Sequence, residues 1–94
     1  MTERTINTRK VTLLSIGVEF NYRETEERRQ AVRMMVAIDD TVASIKYLPN
    51  IHELDRVDFF NEADKGLGDF IFESINELLA MCADQEDAGY LFNF

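Results

Sequence analysis

Residues 31–48 read AVRMMVAIDDTVASIKYL, and the period assigned to this stretch decides the fold. At a period of two, Val32, Met34, Val36 and Ile38 share one side of a strand. Asp39-Asp40 then forms a tight turn, and Thr41, Ala43, Ile45 and Tyr47 return along the same side, leaving Ser44 and Lys46 to solvent. At a period of 3.6, Ala31, Met35, Ile38, Val42 and Ile45 instead make a stripe on one long helix over 25–48, with Thr25 as its cap and Glu26 and Glu27 in its first turn.

The segment before it favours the strands. Residues 11–22 are rich in β-branched and aromatic side chains, and a strand there needs a neighbour to be stable. Pairing Phe20 with Val32 sets Leu14, Ile16, Val18 and Phe20 opposite Ile38, Val36, Met34 and Val32 on one apolar face. The same register puts Glu19 against Arg33 on the reverse face. The expectation is an α+β fold that begins with a three-stranded antiparallel meander over about 11–48. The alternative is an all-α helical bundle containing the long helix 25–48.

Pro49, the one proline, separates this half from a second with helical spacing, and Asn50 is placed to cap the first helix of that second half. This first helix, over about 51–64, would turn Leu54, Val57 and Phe60 inward and Asp55, Asp58 and Glu62 outward. A second over about 67–84 carries Leu67, Phe70, Ile71, Ser74, Ile75, Leu78, Met81 and Cys82 on one broad face, with Asp69, Glu73 and Glu77 along the other. Gly66-Leu67-Gly68 marks the break between the two helices, and both are expected to pack on one face of the meander. The end of the sequence, Tyr90-Leu91-Phe92-Asn93-Phe94, is apolar and β-prone; it is expected to dock as an edge strand or to join a second copy as a homodimer.

With 94 residues the expectation is a single domain, 1–94, and an apolar fraction of 46% places it outside the regime of disorder. A lone cysteine, Cys82, cannot form an internal disulfide, and no apolar run has the length of a membrane span or signal peptide. These features point to the cytoplasm, or to a host cell's cytoplasm if the gene is carried by a phage.

Charge is the strongest functional hint. Thirteen of the eighteen acidic residues come after Met34, where only Lys46, Arg56 and Lys65 oppose them, so the net charge of -8 arises entirely there, the residues before it being slightly positive with seven basic against five acidic. Such a field steers encounters toward a basic partner and repels nucleic acid and anionic lipid. Acids at i and i+4 on a helix stand in a row about 6 Å apart, which can occupy a groove built for phosphates. The ordinary explanation of such a row is a solvated face, so the functional reading leans on the scarcity of compensating cations.

Other chemistries find little support. Neither Asp39-Asp40 nor Asp84-Gln85-Glu86-Asp87 has the spacing of a calcium loop, and His52, the one histidine, has no partner in sequence for a zinc site. Gly66-Leu67-Gly68 lacks the lysine and further glycine of a phosphate loop. Arg23, Arg28, Arg29 and Arg33 are interleaved with Glu24, Glu26 and Glu27, a pattern that reads as local pairing. No metal or cofactor is expected, and no catalytic residue is assigned.

In size, acidity and lack of a catalytic motif the chain resembles, in type alone, the small inhibitors that bacteriophages use against CRISPR effectors and restriction enzymes, and the immunity proteins that cap toxic nucleases. The expectation is a non-enzymatic inhibitor with Asp55, Asp58, Glu62, Asp69, Glu73 and Glu77 facing a basic nucleic-acid-handling protein, without direct contact with nucleic acid or membrane. The alternative is a homo-oligomeric structural or ligand-sequestering protein.

Overall fold

Asp39 and Asp40 both adopt positive φ, 45° and 69°, and Asn7 and Thr8 do the same at 47° and 69°. Two successive positive φ values are what a two-residue hairpin needs to match the twist of its strands. In the computed structural model, which describes residues 2–22, 28–49 and 51–84, these turns join β1 (Thr2–Ile6) to β2 (Arg9–Tyr22) and β3 (Arg28–Ile38) to β4 (Thr41–Leu48). A fifth strand, β5 (Glu53–Phe59), comes next, and then two helices, α1 (Leu67–Glu73) and α2 (Ile75–Ala83). The five strands form one antiparallel sheet in sequence order, so the fold is α+β and the all-α bundle is excluded.

The meander is therefore larger than expected, gaining a strand at each edge. β1 pairs with β2 from Thr2 opposite Leu13 to Ile6 opposite Arg9. At the other edge the helix expected over 51–64 is replaced by β5, with Ile45 opposite Val57 and Ser44 opposite Asp58. Leu54 and Val57 are three residues apart, a helical interval, yet both face the core because the ladder slips a residue between Lys46/Tyr47 and Arg56/Leu54. His52 lies in the tight turn before β5 with φ 51°, not in a helix. Thr25, Glu26, Glu27, Asn50 and the segment Tyr90-Leu91-Phe92-Asn93-Phe94 fall outside the described residues.

A second slip corrects the β2–β3 register. Phe20 stands opposite Gln30 and Val18 opposite Val32, and the bulge between Leu13 and Ser15 reverses the faces of β2 below it. Val11 and Leu13 thus reach the core at 0% and 3% exposure, while Leu14 is turned out at 39%.

The core lies between one face of the sheet and the helices. Met34, Val36, Ile38 and Ile45 pack with Leu67, Ile71, Leu78 and Met81, all nearly or fully buried. Each such side chain contributes about 1.5–3 kcal/mol of transfer free energy against the entropy of ordering it. The helix expected over 67–84 is present as two segments. Ser74, at φ -102° and ψ 9°, interrupts it, although the Ser74 N–H still donates to the Phe70 carbonyl and the Leu78 N–H to the Ser74 carbonyl, each at 2.9 Å. Gly66 is the residue before α1, so the glycine pair separates a loop from a helix instead of dividing two helices.

The reverse face is less open than the alternation suggests. Ser44 is 3% exposed and the Lys46 side chain 14%, where both were expected in solvent. The Arg33 guanidinium lies over Ser44 and donates to its Oγ at 2.5 Å.

Candidate partner-binding surface

The six carboxylates expected to form one array are divided by the fold. Asp55 and Asp58 belong to β5 and are held in ion pairs with basic residues of the sheet. Lys46 Nζ lies 3.9 Å from Asp55, and Arg56 Nε donates to Asp58 at 3.0 Å. Glu62 sits in the loop before α1, where its backbone carbonyl accepts the Thr41 hydroxyl at 3.2 Å. Only Asp69, Glu73 and Glu77 lie on helices, and all three are exposed.

Their row survives the joint at Ser74. Asp69 and Glu73 are i and i+4 on α1, and Glu77 continues in the first turn of α2. At about 100° per residue, Phe72 and Glu73 fall on either side of Asp69. Phe72 is 69% exposed, the most exposed large apolar side chain among the described residues. Asn76 and Ala80 extend the same outer face. Sequence reasoning named the carboxylates but missed Phe72, although its position between Asp69 and Glu73, outside the i, i+3, i+4 apolar stripe, was the available signal.

Cations elsewhere are largely consumed within the fold. Arg4 pairs with Asp84, and Lys10 lies 3.7 Å from Glu3. Arg9 bridges Asp64 at 2.8 Å and Asp39 at 3.3 Å, with its guanidinium 5.5 Å from the centroid of Phe70. The bond to Arg9 is the main reason the Asp64 carboxyl lies below its usual range, and Arg9 is raised in return. On the reverse face Arg33 grips Glu19, and Lys46 stands 3.5 Å from it. The hydrogen bond from Arg33 is the largest influence holding the Glu19 carboxyl low. Asp69, Glu73 and Glu77 have no ion-pair partner among the described residues.

Little else is arranged for chemistry. Cys82 is buried against Met34, with 3.8 Å between the sulfurs, and burial pushes its thiol up to about 12. Among the described residues no cluster of three or more His, Cys, Asp or Glu is placed to hold a metal ion. No described helix is long and apolar enough to cross a membrane. Comparison with protein-family models, with curated proteins and with solved structures gave no match for the chain.

Proposed function

We propose that this protein is a non-enzymatic inhibitor or neutraliser, of the phage anti-defence or immunity type, that docks the outer face of α1 and α2 on a basic site of a nucleic-acid-handling protein. The observation that carries the reading is the exposed Phe72 set among Asp69, Glu73 and Glu77, carboxylates that no cation of the described residues neutralises. An acidic row serving solubility alone has no use for an exposed aromatic along its flank. Interfaces combine an aromatic anchor, which excludes water, with charges that set orientation and encounter rate. The carboxylates stand in for phosphates against Arg and Lys of the target, and Phe72 supplies the apolar contact. Asp55 and Asp58, already paired on the sheet, take no part. The place of action under this reading is the cytoplasm of a bacterial cell.

The test is capture from bacterial lysate on the immobilised protein, read by mass spectrometry, with Glu73→Lys/Glu77→Lys and Phe72→Ser as variants. The expected result is retention of nucleic-acid-handling proteins that duplex DNA displaces and that both variants lose. If the charge-reversed variant retains the same proteins, the reading fails.

A further inference from the structure

β2 outruns its outer neighbour. β1 pairs with it only from Arg9 to Leu13, so beyond the bulge no described strand lies on that side of residues 15–22. The turns determine which backbone groups face that open side. A two-residue hairpin closes on a hydrogen-bonded pair, here Ile6 with Arg9 and Ile38 with Thr41. Alternation from Ile38 then turns the N–H and C=O of Ala37, Met35, Arg33 and Ala31 toward β2, where they meet Thr12, Ser15, Gly17 and Glu19. Ile16 and Val18 are left presenting their N–H and C=O outward.

The space beside this edge is open. A depression of about 240 Å³ is lined by Ser15, Gly17 and Glu19 with Arg33 and Met35. A Cβ built on Gly17 would meet nothing within 4 Å. The edge is also locally neutral, because Glu19, its one charge between 15 and 19, is paired with Arg33 and Lys46.

We propose that this edge of β2 pairs antiparallel with the same edge of a second copy, about a two-fold axis at Val18, joining the two sheets into one. In that register Val18 stands across from the second copy's Val18 on the helix side of the sheet, and Gly17 across from its Glu19 on the other, while the paired stretch, 15–21, stops short of Thr2, which β1 sets opposite Leu13. No like charges meet, and Val18 and its counterpart, both turning N–H and C=O outward, form a hydrogen-bonded pair. This match of the edge with itself identifies a second copy as the occupant. The opposite outer strand does not share it, since on β5 Glu53, Asp55 and Asp58 outnumber Arg56 and the neighbouring Lys46 and leave that edge net negative, so that it repels its own copy. The association uses the edge of the sheet and leaves the outer face of the helices free, so it stands or falls separately from the proposed target binding.

The test combines light scattering on the full chain over a range of concentrations with hydrogen exchange at the Ile16 and Val18 amides. The expected mass rises toward twice the chain's 10.9 kDa, and the two amides become protected in step with the dimer. Val18→Pro removes an outward donor that β3 does not use and should give a monomer. Val18→Lys, which keeps the backbone intact and brings two cations to the seam, should weaken the dimer at least about tenfold, a loss of ~1.4 kcal/mol. A chain that is monomeric throughout overturns the proposal, as does a dimer indifferent to Val18→Lys. Protection of both amides in a monomer would also overturn it, by showing the edge covered from within the same chain.

Discussion

Arg33 holds Glu19 along a diagonal of the sheet: the residue directly across from Arg33 on β2 is Gly17, and the residue across from Glu19 is Ala31. The missing side chain at Gly17 leaves the guanidinium room to swing toward Glu19 while its NH1 stays on Ser44. Diagonal neighbours on a sheet are within reach of long side chains, so a register two residues from the expected one still joins the same two residues.

This pair has a pH signature. Arg33 holds the Glu19 carboxyl below its ordinary range, so its contribution is complete above the unfolded carboxylate pKa of about 4.3 and is lost as pH falls through the lower folded value. Replacing Arg33 by Met is expected to cost on the order of 1 kcal/mol at neutral pH, given the partial exposure of both partners. The gap between variant and parent should shrink by about pH 3. Urea unfolding at the two pH values measures it, and an unchanged gap would contradict this account.

Thr8 occupies a left-handed position at φ 69°, which a β-branched residue tolerates poorly. Thr8→Gly should therefore raise stability by about 0.5–1 kcal/mol, seen as a higher midpoint in thermal melts. A lower midpoint would mean that the hydroxyl has a role the turn geometry does not require.

Ser74 sits at the joint of α1 and α2 with 0% exposure, and its Oγ has no hydrogen-bond partner among the described residues. Burying a hydroxyl without a partner is unfavourable, so Ser74→Ala should leave stability unchanged or raise it by up to about 1 kcal/mol. Calorimetry of the variant decides; a clear loss would show that the hydroxyl is needed to hold the joint.

Cys82 is protonated at every physiological pH, since burial raises its thiol to about 12. Thiol reagents attack the thiolate, so the folded protein should resist Ellman's reagent and react within the mixing time in denaturant. Fast labelling under native conditions would place the sulfur nearer to solvent than the structure does.

Glu73→Gln and Glu77→Gln test whether the acidic row is held against its own repulsion. Each should stabilise the protein by a few tenths of a kcal/mol at low salt, with the gain fading as salt rises. Under the proposed function the same changes should weaken target capture. Measuring stability and capture on the same variants separates a solvating row from a binding one.

The legible parts of the fold were those written in residues close together. Asp39-Asp40, the alternation through β3 and β4, and the apolar face from Leu67 to Cys82 all report local geometry. β1 gave little signal because TERTI is a polar edge strand with only Ile6 buried. β5 was misread because the bulge at Asp55 spaces Leu54 and Val57 as a helix would, and one extra residue in a ladder leaves no mark in composition. The same error grouped Asp55 and Asp58 with the helical acids. Asp69, Glu73 and Glu77 came out correctly as an exposed row because i+4 spacing on a true helix needs no tertiary information.

The unbroken order of the sheet, in which every strand lies beside its neighbour in sequence, bears on how the chain is made. Pairing between successive strands closes only short loops, so the sheet can assemble during synthesis, hairpin by hairpin. The helices that cover Met34, Ile38 and Ile45 emerge afterwards. At roughly 5–20 residues per second, Leu78 and Met81 trail the last strand by on the order of a second or more. For that interval the growing chain carries a bare oily sheet, and with ten acidic against nine basic residues through Phe59 it has almost no net charge to keep neighbouring ribosomes' products apart.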